Sequence, residues 1–308
     1  MKLYFAPMEG ITTYTFRNAH AEMFGGVDKY YAPFIVPTEN ERISRRTLRD
    51  IVPDYNKAEI VPQILCNNSD AFLKFTEKLI PLGYHELNIN FGCPAGTVVG
   101  KKRGSGALTD TKWLDELLEK IFENPKVKVS VKTRVGFKSH DEFDEILNVY
   151  NKYPISLLIV HPRVREEFYK GRANIETFKK AYEKSNTKLC YNGDIYNTGD
   201  YENIAYKYSD IDSVMIGRGA VGNPAIFREI RGGERLKTEE LVNFSRLLEE
   251  RYLALFNAPI PTLYKLKEVW MYALLNFPEE KKIAKAVKKA NTLSDLNSAI
   301  NCLPEIKR

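Results

Sequence analysis

Apolar residues recur through the first part of the chain in short, nearly continuous runs: KLYFAPM, KYYAPFIV, EIVPQIL, YHELNIN, VKVSVKTRV, SLLIVHP, KLCYNGD and SVMIGRG. Helix-like stretches separate them. An antiparallel sheet with one wet face alternates apolar and polar positions, whereas parallel strands covered by helices run apolar almost throughout. Roughly eight such runs with intervening helices predict an α/β chain, a (β/α)8 TIM barrel, rather than a sandwich.

The stretches between the runs fit that reading. SDAFLKFTEKLIPLG predicts a helix opened by Ser69 or Asp70 and closed at Gly83, and TDTKWLDELLEKIFENP one capped by Thr109 or Asp110 and stopped by Pro125. After about residue 236 the strand signal ends. LKTEELVNFSRLLEERYLALF, PTLYKLKEVWMYALLNF and EEKKIAKAVKKANTLSDLNSAI read as helices; in the first, Leu241, Phe244, Leu248, Tyr252 and Leu255 fall along one face. The chain thus divides into a barrel, residues 1–236, and a small C-terminal helical bundle, residues 237–308.

Composition narrows the class. With 308 residues, 44% hydrophobic and 28% charged, the chain can bury a sizeable core. MKLYFAPM lacks the basic start and apolar centre of a secretory leader, and no apolar run reaches about 18 residues, so a cytoplasmic protein without a membrane partner is expected. Cys66, Cys93, Cys190 and Cys302 are too widely spaced for a disulfide framework or structural zinc and are expected to be reduced thiols. A net charge of +6 permits an anionic partner without requiring one.

GRGAVG, residues 217–222, satisfies G-x-G-x-x-G, but the fingerprint needs a following strand that ends in an acidic residue, and here the chain runs into the helical tail. In a barrel the same glycines follow strand eight, where backbone N–H groups commonly hold phosphate. Arg218 adds a permanent charge, and Asn192, Gly193 and Asp194 after strand seven lie beside it in barrel order.

Active residues of a barrel lie at strand C-terminal ends. The polar groups there are Glu9 after Pro7 and Met8, Gln63, Asn88, Asn90, Cys93, Lys132, Arg134, His161, Arg163, Asn192, Asp194 and Arg218. No carboxylate or histidine cluster has metal-ligand spacing, so no metal is expected.

With these residues in view, the chain resembles the tRNA-dihydrouridine synthases. APMEGIT, NINFGCP, VKTRVG, HPRVREEFYKG, NGDI and IGRGAVGNP follow in that family's order. The resemblance implies a tightly bound FMN, with Pro7, Met8 and Glu9 backbone, Gln63, Lys132 and His161 at its ring and ribityl groups, and Asn192, Gly193, Asp194, Gly217 and Arg218 at its phosphate. It assigns Cys93 as the catalytic acid and sets Asn90 and Arg134 near the target base. It implies NADPH as reductant and a D-loop uridine of tRNA as substrate; a monomer is expected. One departure is HPR where many relatives have HGR, so that Pro162 stiffens a turn.

A thiol suits the chemistry. Reducing the C5–C6 bond of uracil needs a hydride at C6 and a proton at C5, and a thiol of ordinary pKa about 8.5 is a neutral donor at pH 7. The target base must also leave its stack, at a cost of about a few kcal/mol that RNA contacts have to offset. Lys101, Lys102 and Arg103, in a glycine-rich loop expected to move over the base, are candidates for phosphate contact. The tail adds Lys281, Lys285 and Lys288 or Lys289 along one helix side, with Ile283, Val287 and Ala290 toward its neighbours. Two rivals remain: an FMN barrel acting on a free pyrimidine, like the dihydroorotate and dihydropyrimidine dehydrogenases, and a non-catalytic RNA-binding flavoprotein. The basic tail speaks against the first.

Overall fold

The computed structural model describes residues 1–37 and 44–306. Among them run β1 (Lys2–Phe5), β2 (Lys29–Tyr31), β3 (Ile60–Val61), β4 (Gln63–Ile64), β5 (Glu86–Phe91), β6 (Lys128–Gly136), β7 (Leu158–Val164), β8 (Leu189–Tyr191) and β9 (Ser213–Ile216). Every paired neighbour is parallel, in the order β3-β2-β1-β9-β8-β7-β6-β5-β4. The two ends of that order, β3 and β4, flank Pro62, which has no N–H to donate to a ladder. The predicted third strand, EIVPQIL, is therefore one stretch broken at its proline, and the ring closes through it as a TIM barrel.

The continuous apolar runs have a simple origin. Side chains alternate across a strand, and in a barrel both faces are covered. Leu3 and Phe5 of β1, like Val214 and Ile216 of β9, join the outer core under the helices. Tyr4 and Met215, between them in sequence, join a small inner cluster with Ala6, Tyr31, Val61, Leu157, Ile159 and Cys190. Where β5, β6 and β7 turn polar, the inward positions change, apart from outward Thr133, which accepts from Tyr150 Oη: Leu87, Ile89 and Phe91 pack outward in alternation with Asn88 and Asn90.

Two helix starts refine the expectation. The Ser69–Leu79 helix is capped by Asn68, whose side chain accepts Ala71 N–H, not by Ser69 or Asp70. The Thr111–Phe122 helix takes Asp110 as cap through Trp113 N–H at 3.0 Å, worth about 1 kcal/mol. Pro162 is not in a turn. It lies within β7, opposite the register shift between Arg134 and Gly136, a place where a missing N–H does little harm.

After β9 the chain is helical, with long helices at Thr238–Phe256 and Pro259–Ala273. The third predicted tail helix is two, Lys281–Lys289 and Leu293–Ile300, because Thr292 and Asp295 form a capping box that starts a new one. Trp270, buried, donates to Ser245 Oγ at 2.8 Å and ties the long pair together. The second helix and the 3-10 turn Leu274–Asn276 that follows it dock on the barrel rim: Lys265 Nζ donates to Gly10 O at 2.9 Å and Asn276 Nδ2 to Gly222 O at 2.7 Å. Among the described residues no helix is long and apolar enough to cross a membrane.

Candidate active site

Register brings the polar strand ends to one rim. Gln63 pairs with Asn88 across β4 and β5, Asn90 with Lys132 across β5 and β6, and Arg134 with His161 across β6 and β7. Above them lies a cleft with two lobes that share Pro7, Met8, Lys132, His161, Tyr169 and Arg218. One lobe, about 820 Å³, reaches Gln63, Asn90, Cys93, Arg134 and Tyr272. The other, about 530 Å³, is walled by Asn192 to Tyr196 and Met215 to Gly219.

Cys93 follows β5 in a turn fixed by Asn90, whose Oδ1 accepts the backbone N–H of both Gly92 and Cys93 at 2.9 Å. A chain of buried hydrogen bonds running one way orients that amide. Asn90 Nδ2 donates to Gln63 Oε1 at 2.7 Å, Gln63 Nε2 to Asn88 Oδ1 at 2.7 Å, and Asn88 Nδ2 to Ser130 Oγ at 3.0 Å. Such chains polarise one another and rigidify the groups they join. The other side of the turn is held by Ser105, whose N–H and Oγ both donate to Cys93 O. Burial, which outweighs the Ala95 backbone N–H, raises the Cys93 thiol above its ordinary value. It is a neutral acid at pH 7, not a thiolate.

Lys132 projects from β6 into both lobes without a hydrogen bond or ion pair to any described residue. Burial, and then the charge of Arg134, push its ammonium down to about 8. An ammonium in that state calls for an electron-rich partner from outside the protein. His161 is likewise shifted, well below its usual value, by burial and then by Lys132, Arg134, Arg163 and Arg218, so its ring is neutral.

In the other lobe the short helix Arg218–Gly222 begins at Gly217 with no side-chain cap, and Gly217, Arg218 and Gly219 line the cleft wall. Gly219 has a reason of its own: a Cβ there would sit 2.0 Å from the Ile195 carbonyl oxygen. Two chain segments cross at that point, and only glycine lets them.

The Dihydrouridine synthase (Dus) profile matches residues 4–301. The chain belongs to that family. It is 31% identical over 277 residues to the "Probable tRNA-dihydrouridine synthase 2" of Bacillus subtilis (strain 168), covering 85% of this chain and 83% of that protein. It is 28% identical over 272 residues to the "tRNA-dihydrouridine synthase B" of Shewanella oneidensis, covering 83% and 80%. Among solved structures, a variant of NCR from Zymomonas mobilis superposes with a TM-score of 0.53 at 11% identity, over 76% of this chain and 88% of that one. Morphinone reductase gives 0.51 at 11%, over 76% and 86%. At such identities these two show a shared barrel fold alone.

Several residues of this Dus-family chain do other work than their position suggested. The Met8 backbone is not free for a ligand: its N–H donates to Thr12 Oγ1 at 2.8 Å and its carbonyl accepts from Ile11 and Thr12, so what it offers the cleft is a thioether. Asp194 binds Arg163 at 2.5 Å, Arg218 at 2.7 Å and Ala173 N–H at 2.7 Å, which occupies the carboxylate before any phosphate arrives. Arg134 is buried, and its guanidinium donates to Gly92 O, Val164 O and Phe168 O at 2.9, 2.8 and 2.6 Å. It braces the Cys93 turn against the loop after β7.

The loop expected to move is folded. Gly96–Val99 is helical and Gly104–Thr109 a 3-10 turn, with Gly104 to Leu108 buried. Its glycines permit close approach: a Cβ on Gly104 would lie 2.7 Å from Cys93 O, and one on Gly106 2.6 Å from Val99 O. Lys102 pairs with Asp110 at 2.8 Å and lies over the Trp113 ring, and Arg103 donates to Asn67, which leaves Lys101 as the exposed cation of the three.

Two aromatic residues went unnoticed in the sequence. Tyr169 is half exposed, stacks on His161 at 6.2 Å and lies over the Arg134 and Arg218 guanidinium groups at 5.4 and 4.8 Å. It sits in the quoted HPRVREEFYKG stretch, whose pairing with Arg218 only the fold brings about. Tyr272 reaches the lobe of Cys93 from the Pro259–Ala273 helix and has no local signal at all. Among the described residues no group of three or more His, Cys, Asp or Glu is placed to hold a metal ion.

Proposed function

We propose that this chain reduces a D-loop uridine of tRNA to 5,6-dihydrouridine in the cytoplasm, with FMN as resident cofactor and NADPH as the source of electrons. The observation that carries the reading is the neutral Cys93 thiol held at the edge of a cleft that also contains an ammonium, Lys132, without an ion pair to any described residue. Bound FMN supplies a hydride for C6 of the uracil once it has been reduced.

The donor set fits that cofactor. Lys132 offers a positive charge where a ring edge gains electrons, and His161 lines the same wall as a neutral ring. Gln63, bonded to both asparagines, keeps one N–H and one lone pair for a ligand. Arg218, already paired with Asp194, lies with Gly193, Asn192 and the uncapped N–H groups after Gly217 where a phosphate would be held. Asn90, through its turn, fixes where the Cys93 thiol stands, and that thiol delivers the proton to C5.

The RNA surface in this reading is the tail. Lys281, Lys282, Lys285, Lys288 and Lys289 are all exposed, and no ion pair to a described residue engages any of them. Val287 and Ala290 are buried beneath, with Ile283 partly covered, so the helix is fixed while its cations remain available. A stripe of that kind matches a phosphate backbone.

The test is direct. Purified protein is expected to be yellow, or to become so with FMN, and to oxidise NADPH; tRNA from a deletion strain is expected to lack dihydrouridine at one position, restored by the wild-type gene and not by Cys93→Ala. Unchanged dihydrouridine in the deletion strain would refute the activity.

A further inference from the structure

We infer that Arg163, anchored by Asp194, fixes His161 as the neutral tautomer with its proton on Nδ1, so that the imidazole offers the cleft a permanent donor and no acceptor. The inference rests, for its functional part, on the reading that the cleft holds a flavin.

Arg163 is buried near the end of β7, and four of the five N–H groups of its guanidinium meet fixed groups. One nitrogen donates to Asp194 Oδ2 at 2.5 Å and to Gly171 O at 2.7 Å, while Nε donates to Lys170 O at 3.3 Å. The other terminal nitrogen lies 2.9 Å from His161 Nε2. A guanidinium has donors only and does not deprotonate in a protein. The contact with Nε2 therefore has one possible polarity: Arg163 donates, Nε2 accepts, and the ring proton resides on Nδ1.

The surroundings keep the second proton off. Lys132, Arg134, Arg163 and Arg218 all hold positive charge against the imidazole; Asp194 is taken up by two of them, and Glu9 lines the same lobe. Tyr169 covers the ring at 6.2 Å. Nδ1 has no partner among the described residues, and His161 lines both lobes, so its N–H is available to a carbonyl oxygen or imine nitrogen of a bound ring system. Asp194 thus acts on the ligand through three successive hydrogen bonds, by holding the arginine that sets the histidine. Arg163 and Asp194 are positioning residues.

Long-range proton–nitrogen correlation spectra of the full chain, labelled with nitrogen-15 histidine and without cofactor, read the tautomer directly; the signals missing from a His161→Gln variant identify the residue. Wild-type protein is expected to show His161 only as the Nδ1–H form, unchanged between about pH 5 and 8. Arg163→Met is expected to show both tautomers and a titration in that window, and Arg163→Lys, which keeps a cationic donor, to restore the wild-type pattern. An Nε2–H or cationic His161 in wild type, or an unchanged spectrum in Arg163→Met, would overturn the assignment. Should Arg163→Met not fold, Asp194→Asn, with the anchor weakened but the shape kept, is expected to broaden or split the His161 signals, and a wild-type spectrum there counts against the anchoring. FMN titration of the same samples is expected to show affinity reduced about tenfold in Arg163→Met; equal affinity despite a changed tautomer overturns the functional part. Wild type that binds no FMN refutes the flavin reading and leaves the tautomer result standing.

Discussion

Asn90 and Cys93 are joined by one hydrogen bond, from the Cys93 N–H to the Asn90 side-chain oxygen at 2.9 Å, and that oxygen serves the Gly92 N–H equally. The thiol is therefore placed by its backbone, not by a base acting on sulfur. Asn90→Ala would leave two N–H groups unpaired in a half-buried turn, at a cost of about 1–3 kcal/mol each if no water replaces the amide. The expected result is a kcat for uridine reduction lower by about 10- to 100-fold, with FMN affinity changed far less. Single-turnover rates and cofactor titration on the same preparation separate the two.

Cys93 should behave as an acid in solution. Burial raises its pKa, so alkylation by iodoacetamide is expected to be slow at pH 7 and to accelerate only as pH passes above the ordinary thiol value of about 8.5. A Cys302→Ser background removes the exposed competitor, while Cys66 and Cys190 are buried. A midpoint well below 8.5 would identify an activated nucleophile and remove the thiol from the proton-donor role.

Lys132 gives a pH signature of opposite sense. Its ammonium is pushed down to about 8 in the free protein, and an electron-rich ligand edge favours the charged form. Affinity for FMN is expected to be level below pH 8 and to fall above it, by up to about tenfold per pH unit until the higher pKa of the complex is reached. Fluorescence titration follows this, and Lys132→Met is expected to flatten the curve at weak affinity.

The lysine stripe can be read through salt. Replacing Lys281, Lys285, Lys288 and Lys289 with alanine preserves helix propensity and removes four exposed charges. The slope of log affinity for tRNA against log salt is expected to become shallower by about 0.7–0.9 per lysine that meets a phosphate, with FMN content unchanged. An unaltered slope would move the RNA surface elsewhere.

Gly219 is a structural requirement that looks like a ligand motif. Gly219→Ala forces a methyl group against Ile195 O and is expected to destabilise the protein by about 1–3 kcal/mol, lowering Tm by about 2–5 °C, before any cofactor is added. A stability loss seen only in the presence of FMN would instead return Gly219 to the phosphate site.

The barrel was legible because both faces of each strand are covered, so period-two alternation collapses into the runs that betray parallel strands. The rim residues were legible for a related reason: Asn88, Asn90, Lys132, Arg134 and His161 interrupt those runs at inward positions near the strand ends. Their tasks were less so. Nothing in GSGALTD tells a mobile loop from a packed 3-10 turn, since glycine serves both, and the decision lies with Cys93 O and Val99 O from elsewhere in the chain. Nor does a sequence show that Asp194 will meet Arg163 and Arg218 before it meets a phosphate, or that Tyr272 will arrive at the cleft from the tail.

The seam between barrel and tail has a consequence for how these enzymes diversify. Lys265 and Asn276 latch onto the carbonyls of Gly10 and Gly222, atoms that every amino acid possesses. The two acceptor positions are nonetheless particular: Gly10 stands at φ +77°, and a Cβ on Gly222 would lie 2.9 Å from the Tyr272 carbonyl oxygen, so the rim and the helices that meet it are constrained together. Phe244, packed edge-on against Phe16 and Phe24, and Arg251, paired with Glu22 at 2.6 Å, tie the same seam through side chains, so a change on one side of it calls for a matching change on the other.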